Sequence, residues 1–333
     1  MRSIVVFVLL TALFLPGTVS AQQQFVDYSQ VTRLRWMGPE PPGTYAEYLA
    51  AHPSRPVQIV PLRVAQSRIP QAAGSHVLVI VNSTLQPLIQ TKLDRYISDI
   101  EAAGYTADLY SSTHGTAESL KDFILSQSAN LAGCVLFGDL PCAWFEIEDD
   151  YDEDGYVSFP CDLFLTDLDG DWGDFEIVSP MQSGVYDTHT DGLGDTAPEI
   201  FLGRIDASMM TGDSEDVQIN SYLDKLHAWY SLQLPMTNYA LTYTEDDWVS
   251  YAYFETDIGY AFPAGEAIKA PDTDLEEYRD NRLTSSVYQF IQLACHSTSY
   301  YHAFTRGGDL NSPAIRSIPP KALFYNLFCC SAS

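Results

Sequence analysis

Two stretches near the end of this 333-residue chain carry side chains able to break a bond. Residues 290–297, FIQLACHS, bring His296 to the point where an apolar run leaves the core. Residues 323–333, LFYNLFCCSAS, bring Cys329 and Cys330 to the same point of a second run. If both runs are strands of one open parallel sheet, these groups gather beyond the carboxyl ends of the strands, where such sheets place their functional groups. The chemistry on offer is nucleophilic: a thiolate attacks, and a nearby imidazole supplies it by taking the proton. A buried cysteine is more often a small hydrophobe, so the residues alone leave both readings open.

A second constellation is acidic. Residues 146–176 carry thirteen Asp and Glu and no Lys or Arg. Like charges at that density oppose folding unless a cation neutralises them, and outside a cell calcium is the natural one. Three groups have ligand-like spacing. Asp150, Asp152 and Asp154, followed by Gly155, match the first half of an EF-hand loop, but Cys161 stands where that loop needs Glu. Asp167, Asp169 and Asp171 repeat the alternation around Gly170, and Asp187, Asp191 and Asp195 are interleaved with Gly192 and Gly194. Structural calcium is the expectation and a solvated acidic loop the competing reading; spacing does not choose among the clusters.

The elements that must position these groups follow from periodicity. Residues 76–81 form a continuous apolar run, as in a strand buried on both faces. Residues 88–103 have a helical period, with Leu88, Leu93, Tyr96, Ile97 and Ile100 on one side and Gly104 as the stop. A strand at 106–110, a helix at 118–126 and a strand at 134–137 continue the rhythm. After the acidic excursion come a strand at 199–204, a helix at 216–232, and strands at 239–243, 290–294 and 322–328. Strand and helix in alternation predict an α/β fold with a mainly parallel sheet flanked by helices and an acidic loop insertion. Residues 22–73, rich in Pro, Gln and Tyr, read as an extended lead-in, a small β-rich cap or a pro-segment.

Composition narrows the function. Hydrophobic residues make up 46% of the chain and charged residues 18%, enough for a sizeable core. The net charge of -27 repels polyanions, so nucleic acid and anionic membrane surfaces are poor partners. Residues 1–21 have the order of a secretory signal peptide: Arg2, an apolar run from 4 to 15, then Val19-Ser20-Ala21. That run is too short to span a bilayer, so a secreted or cell-surface protein without stable membrane insertion is expected. In an oxidising compartment the six cysteines are candidates for pairing, and Cys142 and Cys161 flank the acidic segment as if to staple it. The chain stops three residues after Cys330, soon after a buried-looking strand, as a domain truncated at its C-terminus would.

Three stretches together resemble the gingipain-type cysteine peptidases, which have a caspase-like fold. Residues 159–172, FPCDLFLTDLDGDW, look like that family's D-x-x-Y-x-D-L-D-G-x-W segment. Residues 197–206, APEIFLGRID, look like its P-[DE]-[IV]-x-[IV]-G-R-[IL] strand, followed by a helix through Leu223, Lys225 and Trp229. The His-bearing and Cys-bearing strand ends come last, in the family's order. The resemblance covers roughly residues 75–333, and a peptidase domain of 74–333 follows from it. It implies His296 as catalytic base, Cys330 as nucleophile, backbone amides near Ser297 and Cys330 as oxyanion hole, and bound calcium. Cys330 is preferred to Cys329 because the family ends this strand with a small residue, then Cys, then a polar turn.

The chain departs from the pattern in two places. Cys295-His296-Ser297 replaces Gly-His-Gly, and Ser-Ala-Ser follows the cysteine where the family has Asn-Gly or Thr-Gly. His302 is a rival base, though it reads more simply as a loop or pocket rim. The expected activity is hydrolysis of peptide bonds in proteins or peptides through an acyl-enzyme. The alternative is a calcium-binding surface or adhesion module on an inactive peptidase-like scaffold. An acidic pocket would select Arg or Lys, with Asp246 and Asp247 as candidates, and oligomeric state is not readable.

Overall fold

The computed structural model describes residues 43–52, 55–64, 75–147, 157–174, 183–210, 212–251, 253–298 and 300–329. The expected signal peptide, Asp150, Asp152, Asp154 and Cys330 lie outside the described residues. The chain opens with helix α1 (Tyr45–Ala51), strands β1 (Ile59–Arg63) and β2 (His76–Asn82), helix α2 (Gln86–Ala102), β3 (Thr106–Ser112), α3 (Ala117–Ser126) and β4 (Leu131–Phe137). The acidic segment follows as β5 (Ala143–Ile147), β6 (Val157–Cys161), α4 (Leu163–Thr166), β7 (Asp171–Gly173), β8 (Val185–Tyr186) and β9 (Thr188–Thr190). Then come β10 (Phe201–Ile205), α5 (Glu215–Tyr230), β11 (Tyr239–Thr244), α6 (Tyr253–Ala261), β12 (Ala264–Lys269) and β13 (Phe290–Ala294). A hairpin sheet of β14 (His296–Thr298), β15 (Tyr301–Phe304) and β16 (Gly308–Asn311) precedes α7 (Ser312–Ser317) and β17 (Phe324–Phe328).

The strands divide between two main sheets of like order. The first runs β1-β3-β2-β4-β10 and the second β12-β11-β13-β17. Every pairing in them is parallel except β1 on β3. With β1 set aside, both sheets place their strands second, first, third, fourth in chain order. Each therefore has a topological switch point, between β2 and β4 and between β11 and β13. Pro61, which has no N–H to donate, sits in the edge strand β1, where the loss costs no ladder bond.

Strand β2 shows why the first sheet is buried on both sides. Val77, Val79 and Val81 pack with Ile89, Leu93 and Ile97 of α2 and Ile219 and Leu223 of α5. The alternate residues Leu78 and Ile80 pack with Leu120 and Ile124 of α3 and Phe164 and Leu165 of α4. Period-two alternation with both parities apolar needs a helical layer on each face. Helix α2 stops where expected, with Gly104 at φ +98, in the left-handed region that favours glycine. Its buried face differs by one residue from the expected one: Ile89 is 1% exposed and Leu88 60%. At 100° per residue Ile89 stacks one turn below Leu93, whereas Leu88 is rotated away. Ile89→Ala is therefore expected to cost about 2–4 kcal/mol in urea unfolding and Leu88→Ala less than about 0.5 kcal/mol.

Helix α5 reaches both sheets. Asp224 receives the side chains of Lys92 and Arg95 from α2, and Asp99 meets His227 at 3.0 Å. From the same helix Lys225 donates to the Leu323 carbonyl, and Trp229 sets its ring edge-on to Phe324 at 5.9 Å.

Three expectations need correction. The segment 22–73, read as an extended lead-in, a small β-rich cap or a pro-segment, contains a helix none of these foresaw: α1, held by a capping box in which Thr44 and Glu47 exchange side-chain and backbone bonds. The last strand, taken for a buried one, is the edge of the second sheet, with Leu327 44% exposed. Cys142 and Cys161 do not staple the acidic segment; both are free thiols, since β5 pairs Ala143, not Cys142, with Cys161. The molecule is a mixed α/β protein whose main sheets are largely parallel and flanked by helices. Among the described residues no helix is long and apolar enough to cross a membrane.

Candidate active site

Strands β13 and β17 are parallel neighbours, registered from Phe290↔Phe324 to Ala294↔Phe328. Their carboxyl ends lie level, beside the switch point, so the residues that follow Ala294 and Phe328 meet at one edge. Alternation then sorts them by face. Cys295 is buried in the core with Tyr243, Leu293 and Phe304, and Cys329 packs against the same cluster. His296 faces the other way, with the Trp248 ring at 5.6 Å; Trp248 in turn meets Phe328 edge-on at 5.2 Å. One tryptophan, from the 3-10 turn Asp246–Tyr251 beyond β11, thus bridges both strand ends on the face of His296.

The inner face holds a polar cluster. Ser297 Oγ lies 3.3 Å from Cys295 Sγ and 2.7 Å from His302 Nδ1. His302 is neither loop nor rim: it sits in β15, paired with Ser297 across the hairpin. Cys329 completes the group. The hydrogen bond from Cys295 holds the Cys329 thiol well below the ordinary thiol value; burial opposes the shift, and bonds from His302 and Ser297 add to it. The same bond, with burial, pushes Cys295 up. The proton therefore stays on Cys295 while Cys329 ionises. Alkylation of Cys329 by iodoacetamide should consequently persist at mildly acidic pH, where an ordinary thiol is protonated and silent. His302→Ala removes a bond that favours the thiolate, so its reactivity should shift to higher pH. A profile that His302→Ala leaves unmoved would refute this assignment.

Glu245 closes the floor. It follows β11, is 1% exposed, and accepts through Oε2 from Thr305 N at 3.1 Å and Thr305 Oγ1 at 2.7 Å. Its own N–H donates to the Ala294 carbonyl at 2.8 Å, so it ties the end of β11 to the end of β13. Glu245, Trp248 and the inner face escaped the sequence reading, although the acidic run 245–247 marks the end of β11. Asp246 opens the 3-10 turn at the same edge.

The acidic segment converges elsewhere, and differently from its spacing. Carboxylate oxygens of Glu146, Asp174 and Asp187 come within 4.8 Å of one another, as do those of Asp167, Asp169 and Glu199. Pairing of β5 with β8 explains the first set: Trp144↔Val185 and Phe145↔Tyr186 bring Glu146 level with Asp187. Asp167 is fully buried and already served, since Gly170 N donates to its Oδ1 at 2.6 Å, Asp169 N at 3.2 Å, and His189 meets its Oδ2. Asp171, Asp191 and Asp195 join neither group. Asp195 instead accepts from Ala197 N at 2.7 Å, turning the chain toward β10.

Beside that segment stands Arg204 of β10. It donates to both carboxylate oxygens of Asp162, at 2.8 and 2.7 Å, and to the carbonyls of Leu140 and Pro141 at 2.7 and 3.0 Å. Burial opposes its charge, but the bonds to Asp162 outweigh it and raise the guanidinium's pKa.

No family model, curated protein or solved structure matches the chain.

Proposed function

We propose that this protein is a cysteine endopeptidase that cleaves peptide bonds through an acyl-enzyme on Cys330, with His296 as base. The observation that carries the reading is the parallel register of β13 and β17. His296 and Cys330 each stand two residues beyond the paired positions Ala294 and Phe328. Cys329 turns to Cys295 in the inner cluster, which leaves Cys330, outside the described residues, as the cysteine the resemblance names. The resemblance to gingipain-type peptidases, with their caspase-like fold, agrees on both residues.

In this mechanism the Cys330 thiol gives its proton to His296 and the thiolate attacks the scissile carbonyl carbon. Backbone amides near Ser297 and Cys330 stabilise the developing oxyanion. The imidazolium returns the proton to the leaving amine, and water activated by His296 then releases the acid. Trp248 walls the edge on this face and restricts how a substrate chain approaches. The test is loss of turnover in Cys330→Ala with the fold retained.

The acidic segment fits a structural calcium ion at Glu146, Asp174 and Asp187. All three donors are hard oxygens of the kind calcium takes, and Glu146 is buried. Asp167 serves the turn instead. Calcium at 100 times its dissociation constant should raise stability by about 2.7 kcal/mol. Asp187→Asn should lose most of that gain in thermal unfolding; an equal gain in both proteins rules this site out. The same convergence supports the second reading, a calcium-dependent surface module without catalysis.

A further inference from the structure

The carboxyl edge of the first sheet carries a cluster that peptide-bond chemistry does not use. His114 follows β3, Asp139 follows β4, and His52 closes α1. One donor atom from each lies within 4.8 Å of the other two. His52 Nε2 is 2.9 Å from Asp139 Oδ2, and His114 Nε2 is 3.5 Å from Asp139 Oδ1. The two imidazoles stack with centroids 4.0 Å apart, which brings both rings to the same carboxylate.

We propose that His52, His114 and Asp139 bind one divalent transition-metal ion of the zinc type, which clamps α1 onto the first sheet. Bonds of about 2.0–2.2 Å at tetrahedral angles separate donor atoms by roughly 3.4 Å, and the observed spacings of 2.9 and 3.5 Å bracket that value. The tautomer of His52 is set for ligation. Its Nδ1 lies 2.9 Å from the Tyr48 carbonyl, which can only accept, so Nδ1 carries the hydrogen and Nε2 turns to Asp139. A metal-bound histidine is oriented in this way, by a backbone carbonyl on its other nitrogen.

Asp139 is fixed in turn, since Asn82 Nδ2 donates to its carbonyl at 2.6 Å. The Tyr48 hydroxyl lies 3.4 Å from His114 Nε2. Two imidazoles and one carboxylate select zinc over calcium, which wants oxygen donors throughout. The guanidinium of Arg204, whose charge reaches His114, is engaged by Asp162 and two carbonyls. All three side chains keep some solvent exposure, so an ion can reach them.

The experiment titrates cobalt(II), and zinc in competition, into the chelator-treated full-length protein. One equivalent should bind with the intense visible bands of a four-coordinate site, and zinc should abolish them. His52→Ala and His114→Ala should each weaken binding at least a hundredfold, while His227→Ala, far from the site, should leave it unchanged. Limited proteolysis should release α1 faster from the metal-free protein. X-ray absorption of zinc-loaded wild-type protein guards against variants that fail to fold, and should show nitrogen and oxygen neighbours with two imidazoles. The proposal is overturned if wild type binds no stoichiometric ion. It also fails if the His52→Ala/His114→Ala double variant keeps the cobalt spectrum, or if sulfur occupies the shell.

Discussion

Cys330→Ala protein should hydrolyse fluorogenic peptides at least about 1,000-fold more slowly in kcat/KM than wild type, with its urea midpoint unchanged. On the proposed mechanism the size follows from the chemistry, since without the thiolate no acyl-enzyme would form and only binding and oxyanion stabilisation would remain. His296→Ala should lose a comparable factor, and the double variant little more, because base and nucleophile act as one unit. Cys329→Ala is the discriminating control. It belongs to the inner cluster with Cys295, Ser297 and His302, so it should keep turnover within about tenfold. Were Cys329→Ala dead and Cys330→Ala active, the nucleophile would be the thiolate held by Cys295 and His302, and the assignment of faces would be wrong.

A large expected effect on stability, outside the apolar core, belongs to Arg204→Ala. The side chain makes four hydrogen bonds that join β10 to the turn after β4 and to Asp162, which precedes α4. Truncation leaves a carboxylate and two carbonyls without their donor. Breaking a buried pair from one side costs about 3–5 kcal/mol. The Asp162 side chain is 33% exposed, and solvent recovers part of the loss, so about 2–3 kcal/mol is expected. Arg204→Lys should restore less than half, because an ammonium cannot reproduce the planar fork that meets both oxygens of Asp162. Urea unfolding at constant m-value measures both, and a cost under about 0.5 kcal/mol for Arg204→Ala would show that the four bonds do not clamp β10.

Local patterns carried far in the sequence, and non-local pairing did not. The unbroken run through Val77–Val81 announced a doubly covered strand, and Gly104 announced the end of α2, because both are decided by neighbours in the chain. The division of nine strands between two sheets was hidden, since nothing in 201–205 or 239–244 says which edge each strand joins. Helix α1 was masked by its Pro-rich surroundings and by its length of only seven residues.

The candidate site divides the same way. His296 and the cysteine pair were legible as polar groups at the ends of apolar runs. The inner cluster was not, because Ser297 and His302 meet only once β14 folds back on β15. The acidic segment misled by its alternation. Loops space carboxylates at every second residue, but convergence came from strand pairing, which joined Asp187 to Glu146 and left Asp191 aside. His52, His114 and Asp139 are separated by stretches too long for any local motif, and only the sheet edge brings them together.

Covalent capture identifies the nucleophile. Protein is treated with a peptidyl acyloxymethyl ketone carrying Arg or Lys, with and without calcium, alongside neutral and acidic probes, and the modified residue is located by mass spectrometry. The expected result is a label on Cys330 that disappears in His296→Ala. A label that rests on Cys329 and survives in Cys330→Ala, or no label from any probe in the set, would contradict it.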